Sequence, residues 1–286
     1  PGSDQGQTRV KPGSDPNADS TTPRAPTQCS HCVRLARWVV IPPENVASDS
    51  AHFLLGGEVM PRAPRLQTPD LIRHVMARGN GRMAIFLGDR DYRESVHLLG
   101  EVVERFALRC WNYCMMPNHY HVTLQPTRAN LSEAMKQLNS QYASWWNRRH
   151  SRVGHTFQGR FKDQIVGEES YLLTLSRYVV MNPVRAGLVA RPEDWPWSSY
   201  RGTIGDCPAP SFLAISKTLS LFGDGSESEQ QARFIRFATA SIDDPTAVDR
   251  FRSNEQIIGS ARFKQRIQEA LNRQAVPTSG AAGGAS

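Results

Sequence analysis

The sequence predicts an α+β fold, in which an antiparallel sheet carries helices on one of its faces. The order of the segments, β-α-β-β-α, is the first observation behind this class. The strand-like segments alternate in hydrophobicity, whereas the helix-like segments repeat with the helical period. The strands are predicted at 72–80, 109–117 and 120–126, and the helices at 89–108 and 130–150.

Turn residues separate the strands. The first strand runs into a Gly-Asn-Gly turn at 79–81, and Pro117-Asn118 joins the second strand to the third. Residues 154–166 are predicted as a loop or a further strand.

Cap and stop residues delimit the helices. The first helix has an Asp-rich start, and Asn130 is predicted to cap the second helix, with Glu133 completing a capping box. A third helix is predicted at 168–182, where Pro183 should stop it.

Composition divides the chain into four parts. We expect residues 1–59 to be a mostly disordered N-terminal extension, because their first part is rich in Pro, Gly, Ser and Asp. Residues 60–202 form the main domain, and residues 203–275 a small helical C-terminal region built from short amphipathic segments. We expect residues 276–286 to be a disordered tail.

The five cysteines do not suggest a disulfide framework. Cys29 and Cys32 have the spacing of a metal-binding pair, but no second Cys/His pair follows at zinc-finger distance. The chain also has no apolar run long enough to span a membrane. We therefore expect a reducing, cytoplasmic location and no membrane partner.

The positive charge is concentrated in the middle of the chain. Counting Lys and Arg against Asp and Glu gives 5 against 6 in residues 1–59, 20 against 12 in residues 60–201, and 9 against 9 in residues 202–286. The excess of +8 in the middle segment is nearly all arginine, which binds phosphates in a forked geometry. Nucleic acid is the first partner to test, and a solvated basic surface is the alternative.

The motif "PNHYHV" places His119 and His121 one residue apart in a strand. Side chains alternate across a strand, so the two imidazoles share a face while Tyr120 occupies the other. Two imidazoles on one face are suited to binding a metal ion. Two histidines at a polar strand end, without any metal, are the alternative.

The helix before Pro183 offers a matching set of polar groups. At about 100° per residue, Tyr171, Tyr178 and Asn182 lie within about 40° of one another, away from the apolar stripe. Tyr178 and Asn182 are one turn apart, and an amide oxygen is a hard ligand that suits magnesium or manganese. A packed aromatic residue near a helix end is the alternative.

Four segments together resemble a known family. "MPNHYHVTLQP", "GHTFQGRFKDQIV", "RYVVMNPVRAGLV" and "WPWSSYRG" are similar, in this order, to motifs of the REP-associated tyrosine transposases. These belong to the single-tyrosine HUH transposases, which have an IS200-like transposase domain. The resemblance covers about residues 60–202 and implies a ferredoxin- or RRM-like HUH core.

The resemblance implies a role for each motif residue. His119, His121 and Asn182 would bind Mg²⁺ or Mn²⁺, and Tyr178 would be the nucleophile. The family cleaves and rejoins single-stranded DNA at palindromic hairpins through a 5′-phosphotyrosine intermediate. It implies a nucleoid-associated bacterial enzyme, a monomer or homodimer, whose target hairpin the sequence does not specify.

Arginines are the candidate DNA-binding residues. Arg78 and Arg82 flank the Gly-Asn-Gly turn, and a second cluster follows the second helix; the full set is Arg78, Arg82, Arg148, Arg149, Arg152, Arg160 and Lys162. Trp145 and Trp146 could stack an unpaired base, although we expect at least one of them in the core.

Two other functions remain open at this stage. A domesticated relative could bind palindromic repeats without cleaving them, and a metal-dependent phosphodiesterase could use water instead of Tyr178. The residues after 202 could close over the site or simply stabilise the fold.

Overall fold

The computed structural model describes Gly2 and residues 68–167, 169–240 and 245–275. The strands are β1 (Ile72–Arg78), β2 (Leu108–Met116), β3 (His119–Pro126), β4 (Lys162–Val166) and β5 (Ile257–Ile258). The helices are α1 (Asp89–Arg105), α2 (Leu131–Arg149), α3 (Glu169–Arg185), α4 (Tyr200–Thr203), α5 (Ile215–Ser220), α6 (Glu227–Thr239), α7 (Pro245–Arg252) and α8 (Ala261–Ala275). Apart from Gly2, the predictions for 1–59 and 276–286, including the Cys29 and Cys32 pair, concern residues outside these ranges.

The strands form one sheet in the order β2-β3-β1-β4-β5. Neighbours among β1 to β4 are antiparallel, and β5 joins β4 in parallel. In this register Arg78 pairs with His119 and Met76 pairs with His121, so β1 lies directly beside the histidine motif. The predicted α+β class with an antiparallel sheet is confirmed.

Helices cover both faces of this sheet, which differs from the prediction of one covered face. On one face, the hydroxyl of Tyr120 donates to Asn139 of α2 at 2.6 Å. On the other face, Asn112 of β2 donates to Ser176 of α3 at 2.9 Å. The second face carries buried polar side chains, which need hydrogen-bonding partners, and α3 supplies some of these.

A buried polar network fixes α3 on β2 and β3. The amide of Asn112 donates to Ser176 and accepts from the hydroxyl of Thr123 at 2.7 Å. All three side chains are almost fully buried. A bulge in β2 between Cys110 and Asn112 sets this register. Since Ser176 lies two residues before Tyr178 on α3, the network also helps to position Tyr178 relative to the sheet.

Pro183 does not stop the third helix, contrary to the sequence prediction. α3 continues to Arg185 with Pro183 inside it. Proline has no N–H to give to the carbonyl one turn earlier. That carbonyl belongs to Val179, and the amide nitrogen of Asn182 lies 3.5 Å from it while donating to the Tyr178 carbonyl at 2.9 Å.

The predicted capping box of α2 is also absent. Asn130 occupies the N-cap position, but its side chain makes no capping hydrogen bond. Its amide instead donates to the carbonyl of Phe106 at 2.9 Å, which ties the start of α2 to the end of α1. Tertiary contact therefore replaces the local cap.

The C-terminal region is helical, as predicted, and it packs against the main domain. β5 extends the sheet beside β4, and Phe251 of α7 is fully buried, with its ring centroid 5.5 Å from that of Tyr178. The boundary at 202 stays a prediction. None of the helices in the described ranges is both long and apolar enough to cross a bilayer.

We predict that Asn112→Ala lowers the free energy of unfolding by about 1–3 kcal/mol, because Ser176 and Thr123 lose a buried partner. Urea unfolding would measure it. Thr174→Ala is the control on the same helix, since the Thr174 hydroxyl donates only to the Ser170 carbonyl. Equal losses in the two variants would contradict a role for the network.

Candidate active site

The two histidines of the motif share one face of β3, as predicted. Their ring centroids are 4.9 Å apart, and the rings are nearly perpendicular. His121 is 3% exposed, whereas His119, at the start of the strand, is partly exposed. The pair therefore lies where the polar face of the sheet meets solvent.

Both imidazoles use Nδ1 in a hydrogen bond. Nδ1 of His119 lies 2.6 Å from Oδ1 of Asn118, and Nδ1 of His121 lies 2.9 Å from Nε2 of His74. Asn118 is itself oriented, because its amide nitrogen donates to the Arg82 carbonyl. Neither Nε2 atom of the motif pair has a hydrogen-bond partner among the described residues. Metal-binding histidines typically bond one ring nitrogen to an acceptor and keep the other for the ion.

Burial keeps both imidazoles neutral. It lowers the pKa of His119 to about 3, with a smaller contribution from Arg78. It also lowers the pKa of His121 well below its usual range, and His119, His74 and Arg78 add to this effect. Neutral imidazole is the form that binds a metal ion. The pair therefore has the protonation state of a ligand set at neutral pH.

Tyr178 of α3 lies against this histidine face. Its ring centroid is 5.5 Å from that of His121 and 5.7 Å from that of His74, both edge to face. Tyr178 is 5% exposed. Tyr171 differs, because its hydroxyl accepts from Arg250 at 3.3 Å and its ring has no contact with these histidines. Of the two tyrosines on the predicted helix face, Tyr178 is the one beside the histidines.

Two arginines lie beside the Tyr178 phenol. The guanidinium carbon of Arg185 is 5.3 Å from the Tyr178 ring centroid, and Arg252 forms a side-chain hydrogen bond with Tyr178. Burial raises the pKa of Tyr178, while Arg252, Arg185 and Arg78 oppose this rise. Nη1 of Arg185 is buried and has no hydrogen-bond partner in the described part of the chain. The site therefore combines a phenol with two guanidinium groups, of which that of Arg252 also lies 3.7 Å from the Asp249 carboxylate.

Asn182 follows Tyr178 by one turn of α3. Because its amide nitrogen donates to the Tyr178 carbonyl, its Oδ1 is oriented away from that bond. Oδ1 has no hydrogen bond within the described ranges, so it is available as an oxygen ligand. No three His, Cys, Asp or Glu side chains of the described residues form a metal-binding cluster. A metal site at the histidine pair would therefore need a ligand of another type, such as this amide.

The predicted DNA-binding residues divide into two groups. Five lie on exposed segments next to the histidine end of the sheet: Arg78, Arg82, Arg152, Arg160 and Lys162. Backbone hydrogen bonds hold these segments together, since Gln158 donates to the Arg78 carbonyl and Asn80 donates to the Thr156 carbonyl.

Arg148 and Arg149 lie on α2, which covers the opposite face. Arg149 pairs with the fully buried carboxylate of Asp91 at 3.0 Å. Arg149 therefore has a structural partner, whereas Arg148 is exposed and bonds only to Ser144 at 2.7 Å. The charge clusters predicted from the sequence thus separate once the chain is folded.

The tryptophan pair also divides, as expected. Trp146 is almost fully buried in the core. Trp145 is partly exposed, lies beside Tyr142, and has the Arg149 guanidinium carbon 5.7 Å from its ring centroid. Only Trp145 retains a surface that a base could reach.

Four residues of the site were missed by the sequence interpretation: His74, Arg185, Phe251 and Arg252. His74 carried a usable signal, because strand periodicity places it on the same face as Arg78, which was selected. Phe251 and Arg252 carried none, since only folding brings α7 to Tyr178.

Comparison with known proteins gives a family match for part of the chain. Residues 67–182 match the family model "Transposase IS200 like". This segment includes β1 to β4, both histidines of the motif, Tyr178 and Asn182. This part of the chain is therefore similar to an IS200-like transposase domain.

Within this class, the chain is similar to REP-associated tyrosine transposases. Over 158 residues it is 25% identical to such a protein of Haemophilus influenzae, covering 49% of this chain and 90% of the relative. A solved structure of a REP-associated tyrosine transposase bound to a REP hairpin matches with 17% identity and a TM-score of 0.45, covering 54% of this chain and 92% of that chain. A tRNA(His) guanylyltransferase of Saccharomyces cerevisiae matches with 10% identity and a TM-score of 0.32, covering 66% and 84%.

We predict that the metal-free protein loses stability as the pH falls from about 6.5 toward 4. Burial lowers the pKa of His74 to about 4, so the unfolded chain binds a proton in this window that the folded protein excludes. His74 alone should contribute a loss of about 3 kcal/mol across the window. Urea unfolding at several pH values, with a chelator present, would measure it.

His74→Gln should make this pH dependence shallower, because glutamine does not titrate. His97→Gln is the control, since His97 is exposed on α1. A His74→Gln variant with the pH dependence of the wild type would contradict the prediction.

Proposed function

We propose that this protein cleaves and rejoins single-stranded DNA at hairpin-forming palindromes, with Tyr178 as the nucleophile and Mg²⁺ or Mn²⁺ as the metal ion. The observation that carries the proposal is the position of Tyr178, whose ring lies 5.5 Å from that of His121 on the polar face of the sheet. The family match of residues 67–182 supports the transposase class.

The metal ligands would be His119, His121 and Asn182. The unengaged Nε2 atoms of the histidines and the Oδ1 atom of Asn182 would form a donor set of the kind that suits a divalent ion. When bound, such an ion would polarise the scissile phosphate and offset the charge that develops on its oxygens. The hydrogen bonds that His119 makes with Asn118 and that His121 makes with His74 would hold the two rings in the orientation needed to bind the ion.

Tyr178 would attack the phosphorus atom with its hydroxyl oxygen. A bond forms between this oxygen and phosphorus, and the bond from phosphorus to the 3′ oxygen breaks. The phenol loses a proton and the 3′ oxygen gains one, so the products are a 5′-phosphotyrosine and a free 3′-hydroxyl. Because one phosphodiester replaces another of similar energy, the reverse reaction can rejoin DNA without ATP.

Arg185 and Arg252 would assist this step. Both guanidinium groups lie next to the Tyr178 phenol and oppose the increase of its pKa caused by burial. Nη1 of Arg185 is a buried donor without a partner among the described residues, and a phosphate oxygen could accept from it. Phosphate binding would thus satisfy a donor that the described part of the protein leaves unsatisfied.

The hairpin would bind across the histidine end of the sheet. Arg78, Arg82, Arg152, Arg160 and Lys162 present exposed positive charge there. A structurally similar protein is bound to a REP hairpin, and we propose a hairpin of this kind as the substrate here. The two α2 arginines contribute less, because Arg149 is held by Asp91.

We predict that Tyr178→Phe abolishes the covalent adduct with a labelled hairpin oligonucleotide in Mg²⁺ or Mn²⁺, while hairpin affinity changes less than about threefold. The variant loses the nucleophilic oxygen but keeps the ring that packs against His121 and Phe251. Denaturing electrophoresis would detect the adduct, and a filter-binding titration would give the affinity.

Tyr171→Phe is the matched control, since Tyr171 lies on the same helix away from the histidines. Adduct formation by Tyr178→Phe but not by Tyr171→Phe would show that Tyr171 is the nucleophile. Cleavage by the wild type without an adduct would indicate a phosphodiesterase. Binding without cleavage would indicate a DNA-binding protein without catalytic activity.

We also predict that replacing Arg82, Arg152 and Arg160 together with Gln makes the salt dependence of hairpin binding shallower. Each lost phosphate contact should reduce the slope of log affinity against log salt by about 0.7 on single strands and about 0.9 on duplex. Fluorescence anisotropy over a range of salt concentrations would measure this slope.

The charge-matched control replaces Arg90, Arg93 and Arg105 of α1, on the opposite face of the sheet. This control should keep the wild-type slope if binding is local to the histidine end. Equal slopes for both triple variants would mean that net charge alone, and not this surface, determines the affinity.

A further inference from the structure

His74 of β1 is fully buried between two polar side chains. Its Nε2 lies 2.9 Å from Nδ1 of His121, and its Nδ1 lies 2.9 Å from Oε1 of Gln164 in β4. The three residues lie on adjacent strands, since β1 pairs with both β3 and β4. They therefore form a continuous chain of hydrogen bonds across the sheet that ends at a candidate metal ligand.

Backbone carbonyls of the C-terminal region fix the orientation of Gln164. Its Nε2 lies 3.2 Å from the carbonyl of Arg250, 3.4 Å from that of Ser253 and 2.9 Å from that of Glu255. A carbonyl oxygen can only accept a hydrogen bond, so the amide group facing these atoms must be the NH₂ group. The acceptor Oε1 consequently faces His74.

The orientation of the Gln164 amide determines which ring nitrogen of His74 and of His121 carries the hydrogen. Oε1 of Gln164 is an acceptor only, so Nδ1 of His74 must carry the hydrogen. Nε2 of neutral His74 then has a lone pair and accepts from Nδ1 of His121. The proton of His121 is thereby held on Nδ1, which leaves the lone pair of its Nε2 free.

We propose that His74 and Gln164 are positioning residues that hold His121 in the tautomer able to bind a metal ion through Nε2, and that the C-terminal segment around 250–255 sets this tautomer by orienting Gln164. The proposal rests on the proposed function, which assigns His121 as a ligand. It extends the site beyond the family-matched segment 67–182 to carbonyl groups that follow it.

The other tautomer would disable the ligand. With a hydrogen on Nε2, His121 has no lone pair to offer on that side, and its Nδ1 could bond to His74 only if the His74 hydrogen lay on Nε2 and Gln164 turned its NH₂ group toward Nδ1 of His74. Binding an ion would then require two coupled proton shifts and reorientation of the Gln164 amide. Loss of such outer partners of metal-binding histidines typically weakens metal affinity about 10- to 100-fold.

The first test uses the wild-type, full-length, metal-free protein. Long-range ¹H–¹⁵N correlation spectra of histidine-labelled protein report which ring nitrogen of each histidine carries the hydrogen. We expect the hydrogen on Nδ1 for both His74 and His121. A hydrogen on Nε2 of His121 would overturn the proposal, whatever the catalytic activity of the protein.

The second test compares Gln164→Leu with Gln125→Leu. Gln164→Leu removes the acceptor for His74, so the Nδ1 signature of His121 should weaken, and titration calorimetry with MnCl₂ should show about 10- to 100-fold weaker binding. Gln125 lies on β3 and bonds to Arg109 and to the Asp70 carbonyl, away from the histidines. The control should therefore keep wild-type values in both measurements.

The outcomes separate the two proposals. Unchanged His121 signature and unchanged Mn²⁺ affinity in Gln164→Leu would overturn the positioning role. If wild-type Mn²⁺ binding does not depend on His121, as tested with His121→Ala, the assigned ligand itself is wrong and the proposed function fails. If the tautomer and affinity behave as expected but no DNA adduct forms, the positioning role stands and the tyrosine chemistry fails.

Discussion

The candidate site depends on the burial of polar groups on one face of the sheet. Strand alternation gives the α1 and α2 side its apolar residues and leaves His74, Asn112, His121 and Gln164 on the other side. Buried polar groups destabilise a fold unless they are hydrogen-bonded. α3 and the segment around 250–255 supply these bonds, and the same contacts bring Tyr178 to the histidines.

The C-terminal region therefore belongs to the site as well as to the fold. Its backbone carbonyls orient Gln164, Phe251 packs on Tyr178, and Arg252 bonds to the phenol. Tyr178 is 5% exposed in this structure, with Phe251 and Arg252 of α7 against it. The same helix therefore both orders Tyr178, the proposed nucleophile, and buries most of its side chain.

Charge is distributed in the same two-sided manner. The arginines near the histidine end have no carboxylate partners among the described hydrogen bonds and ion pairs, whereas Arg149 on the other side compensates the buried Asp91. An arginine paired with a buried carboxylate stabilises the fold, and an unpaired exposed arginine is available to a phosphate. Arginines that are equivalent in the sequence thus differ in the folded protein, because Arg149 has a carboxylate partner and those near the histidine end have none among the described residues.

The sequence by itself determined the α+β class, most element positions and the shared face of His119 and His121, because these follow from local periodicity and turn residues. It also singled out Tyr178 and Asn182 from helical spacing. It did not determine that α3 covers the second face of the sheet, that α3 continues past Pro183, or that Asn130 bonds to Phe106 in place of a local cap. The parts played by His74, Gln164 and Arg252 were decided only by the tertiary structure, because their partners lie 47, 90 and 74 positions away in the chain, and no local pattern encodes contacts at such separations.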